Sequence, residues 1–232
     1  MIALRRSAIH HHHVALGARF AQQAGWEWAE SFGNPEEEQR RARSGVVLVD
    51  LSPLGKLLIR GTGVAAWVGP GVGVGQVVAW VRVPGARLCR LSHEDALVLT
   101  APDEAPPQVV PALDRSIAAV GAGCLQVVDL TSARTGIGLV GPRSRDLLVK
   151  LTALDVDAER LSDARCAQTA LAKVAALVVR QDVGGVPAYE VYVARDFGEY
   201  VWDAVLDAGA EFDIAPCGGA AYTRLGARAA SA

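Results

Sequence analysis

The chain has 232 residues, 51% of them hydrophobic and 21% charged, and its formal net charge is −2. That length buries a substantial core, as one large domain or two small ones, and the near-neutral balance gives no broad attraction to nucleic acid or to an anionic membrane. No apolar run approaches the roughly 20 residues that span a bilayer, and His10 to His13 interrupt the N-terminus before a signal-peptide core develops, so the sequence reads as cytoplasmic. Cys89, Cys124, Cys166 and Cys217 have no close pairing, which fits small core side chains and not a zinc site or a disulfide framework.

Residues 1–44 read as an N-terminal extension set apart from the rest. His10 to Phe20 suits a short helix, and Glu36 to Arg43 is a charged helical run of the kind that faces solvent. From Gly45 the apolar period shortens. Val46–Val49 and Lys56–Arg60 read as strands joined by the turn Ser52-Pro53-Leu54-Gly55, and Val64–Val68 opens a short helix. Gly69, Gly71, Gly73 and Gly75 suggest a phosphate loop, but no helix-forming stretch and no Gly-Lys-Ser/Thr follows, so this is a connection. Arg87–Leu91 and Ala96–Thr100 form a hairpin across Ser92–Asp95. Residues 101–111, with four prolines, are a loop joining two α+β halves, and Asp114–Val120 is a short helix.

The second half repeats the flavour of the first. Leu125–Asp129 and Gly136–Val140 read as strands. Gly141-Pro142 then opens a helix through Leu151, with Pro142 in its first turn and Leu147, Leu148 and Leu151 as its buried stripe. Val174–Arg180, nearly all apolar, reads as a central strand. Short strand–strand–helix units imply an α+β fold over residues 45–226, with helices packed on mostly antiparallel sheets.

Tyr189 to Gly209 is the most informative stretch: a strand carrying a carboxylate, then an amphipathic helix. Tyr189, Val191 and Val193 share one strand face, and Glu190 and Tyr192 share the other. Phe197, Val201, Trp202, Val205 and Leu206 supply the helix's apolar stripe, and Gly209 its stop. A carboxylate in mid-strand is either solvated at an edge or held by a partner. If its face lines a pocket, Glu190 is the group a polar ligand meets.

Three stretches together resemble the folate-binding fold shared by the glycine-cleavage T-protein (aminomethyltransferase) and its relatives. Val49 to Lys56 is similar to that family's early Asp-x-Ser turn, and Gly141 to Leu148 to its Gly-Pro-led helix start. The third stretch runs from Arg180 to Arg224 and closes on Pro216-Cys-Gly-Gly-Ala-Ala-Tyr-Thr-Arg-Leu225. Cys166 to Lys173 and the chain length look most like the gamma subunit of heterotetrameric sarcosine oxidases, a short member without the T-protein's C-terminal barrel. Residues 17–60 look more like the aminomethyltransferases themselves. The resemblance implies a T-protein-like folate-binding fold lacking that barrel.

The family's pattern Arg-Thr-Gly-Tyr-Thr-Gly-Glu-x-Gly-Phe-Glu lays without gaps on Arg180 to Glu190. Arg180, Gly185 and Glu190 agree, whereas Val183 and Val186 stand where the family has Tyr and Glu. The resemblance implies that Glu190 grips the edge of a pterin ring, since a carboxylate accepts two parallel bonds from an amidine-like edge as it does from a guanidinium. It implies the same folate site for Arg180, Tyr189 and Arg224, although the Glu of the family's Leu-Arg-Leu-Glu signature is Gly226 here.

The T-protein's working aspartate has no counterpart, because Val77 to Leu91 contains no acidic residue. Glu94 and Asp95 lie on the hairpin beyond it, and Asp50 reads as a turn cap beside Ser52. The expectation is therefore a non-catalytic folate-binding-fold subunit or binding protein in one-carbon metabolism, with tetrahydrofolate as its cofactor and flavin-dependent amine oxidase subunits as its partners. The alternatives are a stand-alone tetrahydrofolate-dependent aminomethyltransferase with an altered substrate, and an interaction scaffold that no longer binds folate. Four consecutive histidines cannot all face one ion, and no carboxylate or thiol stands at metal spacing, so His10–His13 read as an exposed segment or a tag remnant. Nothing around His93 supports a nucleophilic hydrolase, and no Rossmann site is legible.

Overall fold

The computed structural model describes residues 4–101, 106–121, 124–157 and 160–227. Its N-terminal elements are β1 (Arg5–Arg6), α1 (His10–Ala15), β2 (Arg19–Gln23), β3 (Trp26–Ser31) and α2 (Pro35–Ser44). Then come β4 (Val47–Asp50), β5 (Lys56–Arg60), α3 (Val64–Val68), β6 (Val77–Ala79), β7 (Arg87–Arg90), β8 (Asp95–Leu99), α4 (Pro106–Val120) and β9 (Gln126–Asp129). The remainder is β10 (Arg134–Val140), α5 (Ser144–Leu148), β11 (Arg165–Leu171), β12 (Val174–Arg180), β13 (Ala188–Ala194), α6 (Gly198–Gly209), β14 (Ala215–Cys217) and α7 (Gly219–Ala227).

The strands form a six-stranded sheet of order β11-β12-β13-β10-β4-β14, a five-stranded sheet of order β6-β7-β8-β5-β9, and a small sheet of order β1-β3-β2. The six-stranded sheet is antiparallel apart from β14, which runs parallel to β4. The five-stranded sheet is antiparallel throughout. This is the α+β architecture expected from the sequence. Among the described residues no helix is long and apolar enough to cross a membrane.

The carboxylate-bearing strand β13 sits between β12 and β10, and its residues 188–193 are all buried. An interior strand has its backbone groups paired on both sides, so Glu190 is not a solvated edge residue. One face of β13 carries Tyr189, Val191 and Val193 into a core closed by Val201, Trp202 and Val205 of α6. Each of these large side chains contributes about 1.5–3 kcal/mol by leaving water. The other face meets the five-stranded sheet, with Tyr192 and Val179 packing against Cys89, Leu97 and Leu99. Glu190 therefore projects between two sheets.

The N-terminal elements pack on this body. His13 Nε2 lies 3.0 Å from a carboxylate oxygen of Asp50, and the Trp28 indole donates to the Asp50 carbonyl at 2.8 Å. Glu38 of α2 accepts from the backbone N–H groups of Phe32 and Gly218, at 2.7 and 2.8 Å.

Several sequence expectations need correction. The strands β4 and β5 form as expected on either side of their turn, and the sequence did not show that they lie in different sheets. Lys56 fixes the crossover, because its buried Nζ donates to the carbonyls of Leu51, Ser52 and Leu54 at 3.4, 2.9 and 2.6 Å. The helix α4 begins at Pro106, inside the supposed loop; prolines in a first turn lose no helical bond, and only Pro111 removes one. In the other direction α5 is shorter than expected, starting after Pro142 and ending before Leu151. Phe197 is exposed in the turn ahead of α6 and takes no part in its buried stripe. The unforeseen strand β11 joins β12 through Ala172 and Lys173, both at positive φ. Cys124 is exposed, while the other three cysteines are buried.

Candidate functional site

Glu190 is 2% exposed, and its carboxylate is engaged by side chains from three elements. Arg87, at the start of β7, donates from Nη2 to both oxygens, at 2.8 and 3.0 Å. Tyr192, two residues along β13, donates to Oε2 at 2.8 Å, and the Tyr222 hydroxyl of α7 stands 3.5 Å from Oε1. The Arg87 side chain is 17% exposed, and its Nη1 is buried without a hydrogen-bond partner. The pair thus joins the two sheets across a sequence separation of 103 residues.

The electrostatics are mutually supportive. Burial works against the Arg87 charge, but Glu190, Tyr192 and Tyr222 more than offset it, so the guanidinium is held more firmly protonated than usual. Burial raises the Tyr192 and Tyr222 hydroxyls, and the Glu190 charge raises them further. Both remain neutral donors at physiological pH.

Local sequence makes room for this cluster. Gly136 of β10 lies opposite Tyr192, and a Cβ there would fall 3.0 Å from the tyrosine ring and 2.9 Å from the Leu51 carbonyl oxygen. Gly184 and Gly185 hold left-handed conformations in a two-residue turn, closed by reciprocal bonds of 2.9 and 3.0 Å between Val183 and Val186. That turn leads β12 back into β13. Next to the cluster is a hollow of about 210 Å3, with Arg87, Gln181, Val183, Glu190, Tyr222 and Thr223 among its walls.

The four expected site residues do not converge. Glu190 lines the hollow. Tyr189 points to the opposite sheet face, into the α6 core, with the Arg180 guanidinium 5.7 Å from its ring centroid. Arg180 donates to the Leu161 carbonyl at 2.9 Å and to Asp182 at 3.3 Å. Arg224 is exposed and lines a separate depression with Trp28 and Glu30. Of the departures from the family pattern, Val183 walls the hollow and Val186 is buried against α7.

Other candidates resolve as follows. Asp50 caps its turn by accepting from the Ser52 N–H at 2.9 Å. Burial works against the Asp50 charge, but bonds from His13 and Ser52 outweigh it and hold the carboxyl below its ordinary value. Asp95 faces a second hollow of about 200 Å3 on the Tyr192 side, bound to Arg60 at 2.6 Å, and Glu94 is exposed. Lys56 borders that second hollow, its pKa pushed down to about 7 by burial against the opposing pull of Asp50, Glu190 and Asp129. The histidine run is not a uniformly exposed segment, since His13 is buried on Asp50. Nor does it lack carboxylate neighbours: Glu199 and Asp203 of α6 lie 3.6 and 3.7 Å from His11 and His12. His11, His12 and Glu199 offer ligand atoms within 4.8 Å of one another, with His11 and Glu199 exposed.

Sequence reasoning missed Arg87. Alternation along β7 puts Arg87 and Cys89 on one face, but only the stacked sheets show that this face is turned toward the inter-sheet core. A cation on one buried strand face and an anion on another require each other.

Two stacked sheets, antiparallel apart from β14 and covered by helices, form a T-protein-like folate-binding fold. Residues 87–229 match the model of the GCVT N-terminal domain, and the chain belongs to that family. It is 30% identical to the aminomethyltransferase of Streptomyces avermitilis over 230 residues, covering 93% of this chain and 60% of that protein. The Geobacillus kaustophilus aminomethyltransferase is 27% identical, with coverages of 97% and 62%. The chain thus spans about 60% of the length of these relatives. In structure it is similar to the glycine cleavage system aminomethyltransferase T of Bartonella henselae, with TM-score 0.78, 18% identity and coverage of 96% of this chain and 62% of that one. It also resembles a chain of the heterotetrameric sarcosine oxidase of Corynebacterium sp. U-96, with TM-score 0.64, 24% identity and coverages of 90% and 96%.

The aminomethyltransferase family is tetrahydrofolate-dependent, which raises the question of whether a pterin ring fits this chain's hollow. The acceptor is present, but its oxygens already hold the chain's own guanidinium, and about 210 Å3 is below the range of pockets that enclose drug-sized ligands. In this arrangement the residues do not fit a ring edge at Glu190.

Proposed function

We propose that this chain is a non-catalytic, folate-binding-fold subunit of an assembly in one-carbon metabolism, partnered with flavin-dependent amine oxidase subunits. One observation carries the proposal: among the described residues lining the hollow, Glu190 is the only carboxylate, and Arg87 and Tyr192 already occupy it. Proton handling at an amine needs a base within hydrogen-bond reach, and both Glu190 oxygens already accept from the chain's own donors. The correspondence with nearly the whole of a chain from a heterotetrameric oxidase supports the subunit reading.

The second reading is a stand-alone tetrahydrofolate-dependent aminomethyltransferase, favoured by the 30% identity to such an enzyme across 93% of this chain. Incubating the purified chain with tetrahydrofolate and an aminomethyl donor separates the two. The subunit reading expects no methylenetetrahydrofolate above the uncatalysed background, and affinity capture of an oxidase subunit on co-expression. Sustained turnover by the isolated chain would overturn it. A chain that captures the oxidase subunit but binds no folate is the pure scaffold.

A further inference from the structure

We propose that Arg87 is a built-in occupant of the ring-binding acid, so that a ligand with a guanidine-like edge reaches Glu190 only when the Arg87 side chain leaves it. The inference rests on the reading of Glu190 as a ring-holding carboxylate and adds what controls access to it.

The chemistry of the two occupants is the same. A 2-amino-4-oxo-pyrimidine edge, as in a pterin, presents an amino N–H beside a ring N–H, which is half of a guanidinium in shape and donor pattern. A carboxylate receives both groups through the same two oxygens. The Arg87 nitrogen stands on those oxygens, at 2.8 and 3.0 Å, and the side chain borders the same hollow as Glu190. The two donors cannot be present together.

Arg87 is also an imperfect occupant. A single nitrogen, Nη2, serves both carboxylate oxygens, and the other terminal nitrogen is buried with no acceptor. A buried donor without a partner is costly. A flat ring could place one donor on each oxygen, and the displaced guanidinium would regain water for both of its terminal nitrogens. The cluster's members come from separate elements, β7, β13 and α7, and Arg87 reaches the acid from the wall of the open hollow, so its departure would leave the Tyr192 bond to Oε2 in place.

Calorimetric titration with isocytosine, which carries only the ring edge, tests this on the full chain. The expected result is negligible binding to the wild type, binding at least about tenfold tighter to Arg87→Ala, and its loss in Arg87→Ala/Glu190→Gln. Equal affinity of wild type and Arg87→Ala, or binding to Arg87→Ala that survives Glu190→Gln, overturns the inference. Arg87→Ala leaves a buried carboxylate without its counter-charge, so its melting temperature is also measured with low-millimolar guanidinium chloride. Selective stabilisation of this variant, absent in the double variant, supports the inference even where the unliganded variant is poorly folded. An Arg87→Ala protein that neither binds isocytosine nor responds to guanidinium contradicts it. Folic acid is the second probe. Arg87→Ala that binds isocytosine but not folic acid leaves the occupancy of Glu190 intact and removes the folate reading.

Discussion

Replacing Glu190 by Gln tests the buried pair most sharply through stability. The substitution keeps the volume, removes the charge, and sets an amide N–H₂ where Arg87 or Tyr192 now donates. Removing one member of a buried ion pair typically costs about 3–5 kcal/mol, and the partial exposure of Arg87 places the expected loss at about 3 kcal/mol. Urea unfolding followed by tryptophan fluorescence reads this directly, since Trp26 and Trp202 are fully buried. Arg87→Met should cost a similar amount, because it strands the carboxylate. The double variant Arg87→Met/Glu190→Leu leaves no lone charge and should fall within about 1 kcal/mol of the wild type, a coupling of several kcal/mol between the two sites. Single losses below about 1 kcal/mol would mean a solvated pair, and a double variant as unstable as the sum of the singles would mean independent sites. Either result refutes the reasoning.

Within the histidine run, His13→Ala should destabilise by about 2–4 kcal/mol in the same unfolding assay, by leaving the buried Asp50 without its partner, whereas exposed His11→Ala should stay within about 0.5 kcal/mol. Asp50 should shape the acid limb of stability. Its carboxyl is held below the ordinary value of 3.8 in the folded chain, so its contribution is complete above that pH and lost as pH falls through the depressed value; the difference between wild type and Asp50→Asn in denaturant melts should shrink accordingly below about pH 4. Gly184 and Gly185 share a left-handed conformation but not their surroundings: a Cβ on Gly184 would fall 2.0 Å from the Leu225 carbonyl oxygen, and one on Gly185 meets nothing within 4 Å. Gly185→Ala should therefore cost about 1 kcal/mol, and Gly184→Ala clearly more, at about 2–4 kcal/mol by thermal or urea melts.

Local pattern carried far in this chain. The alternation of Tyr189 to Val193 placed Glu190 and Tyr192 on one face, where the two side chains are hydrogen-bonded, and the four-residue spacing of Val201 and Val205 marked the face that α6 buries. Val64–Val68 is the helix its composition implied. What stayed hidden depended on contacts distant in sequence. A turn between β4 and β5 looks the same whether it closes a hairpin or crosses between sheets, and the deciding group, Lys56, acts by reaching back to three carbonyls. Phe197 fitted the helical period, but the chain enters α6 through a tighter turn that rotates it outward. The family pattern led to Glu190 but grouped it with Arg180 and Tyr189, which occupy the other sheet face. Period-2 geometry already separates Tyr189 from Glu190. Arg87 could not be paired with Glu190 before the two sheets were stacked.

The claim that the chain's own guanidinium occupies the buried Glu190 carboxylate is tested most directly by the arginine side-chain NMR signals of the wild-type protein. At neutral pH the Nη–H protons of Arg87 should resolve as distinct, slowly exchanging resonances, because the group is buried and fixed on a carboxylate, and they should vanish in Glu190→Gln. An Arg87 signal averaged by rapid rotation and solvent exchange, like that of exposed Arg40, would contradict the account.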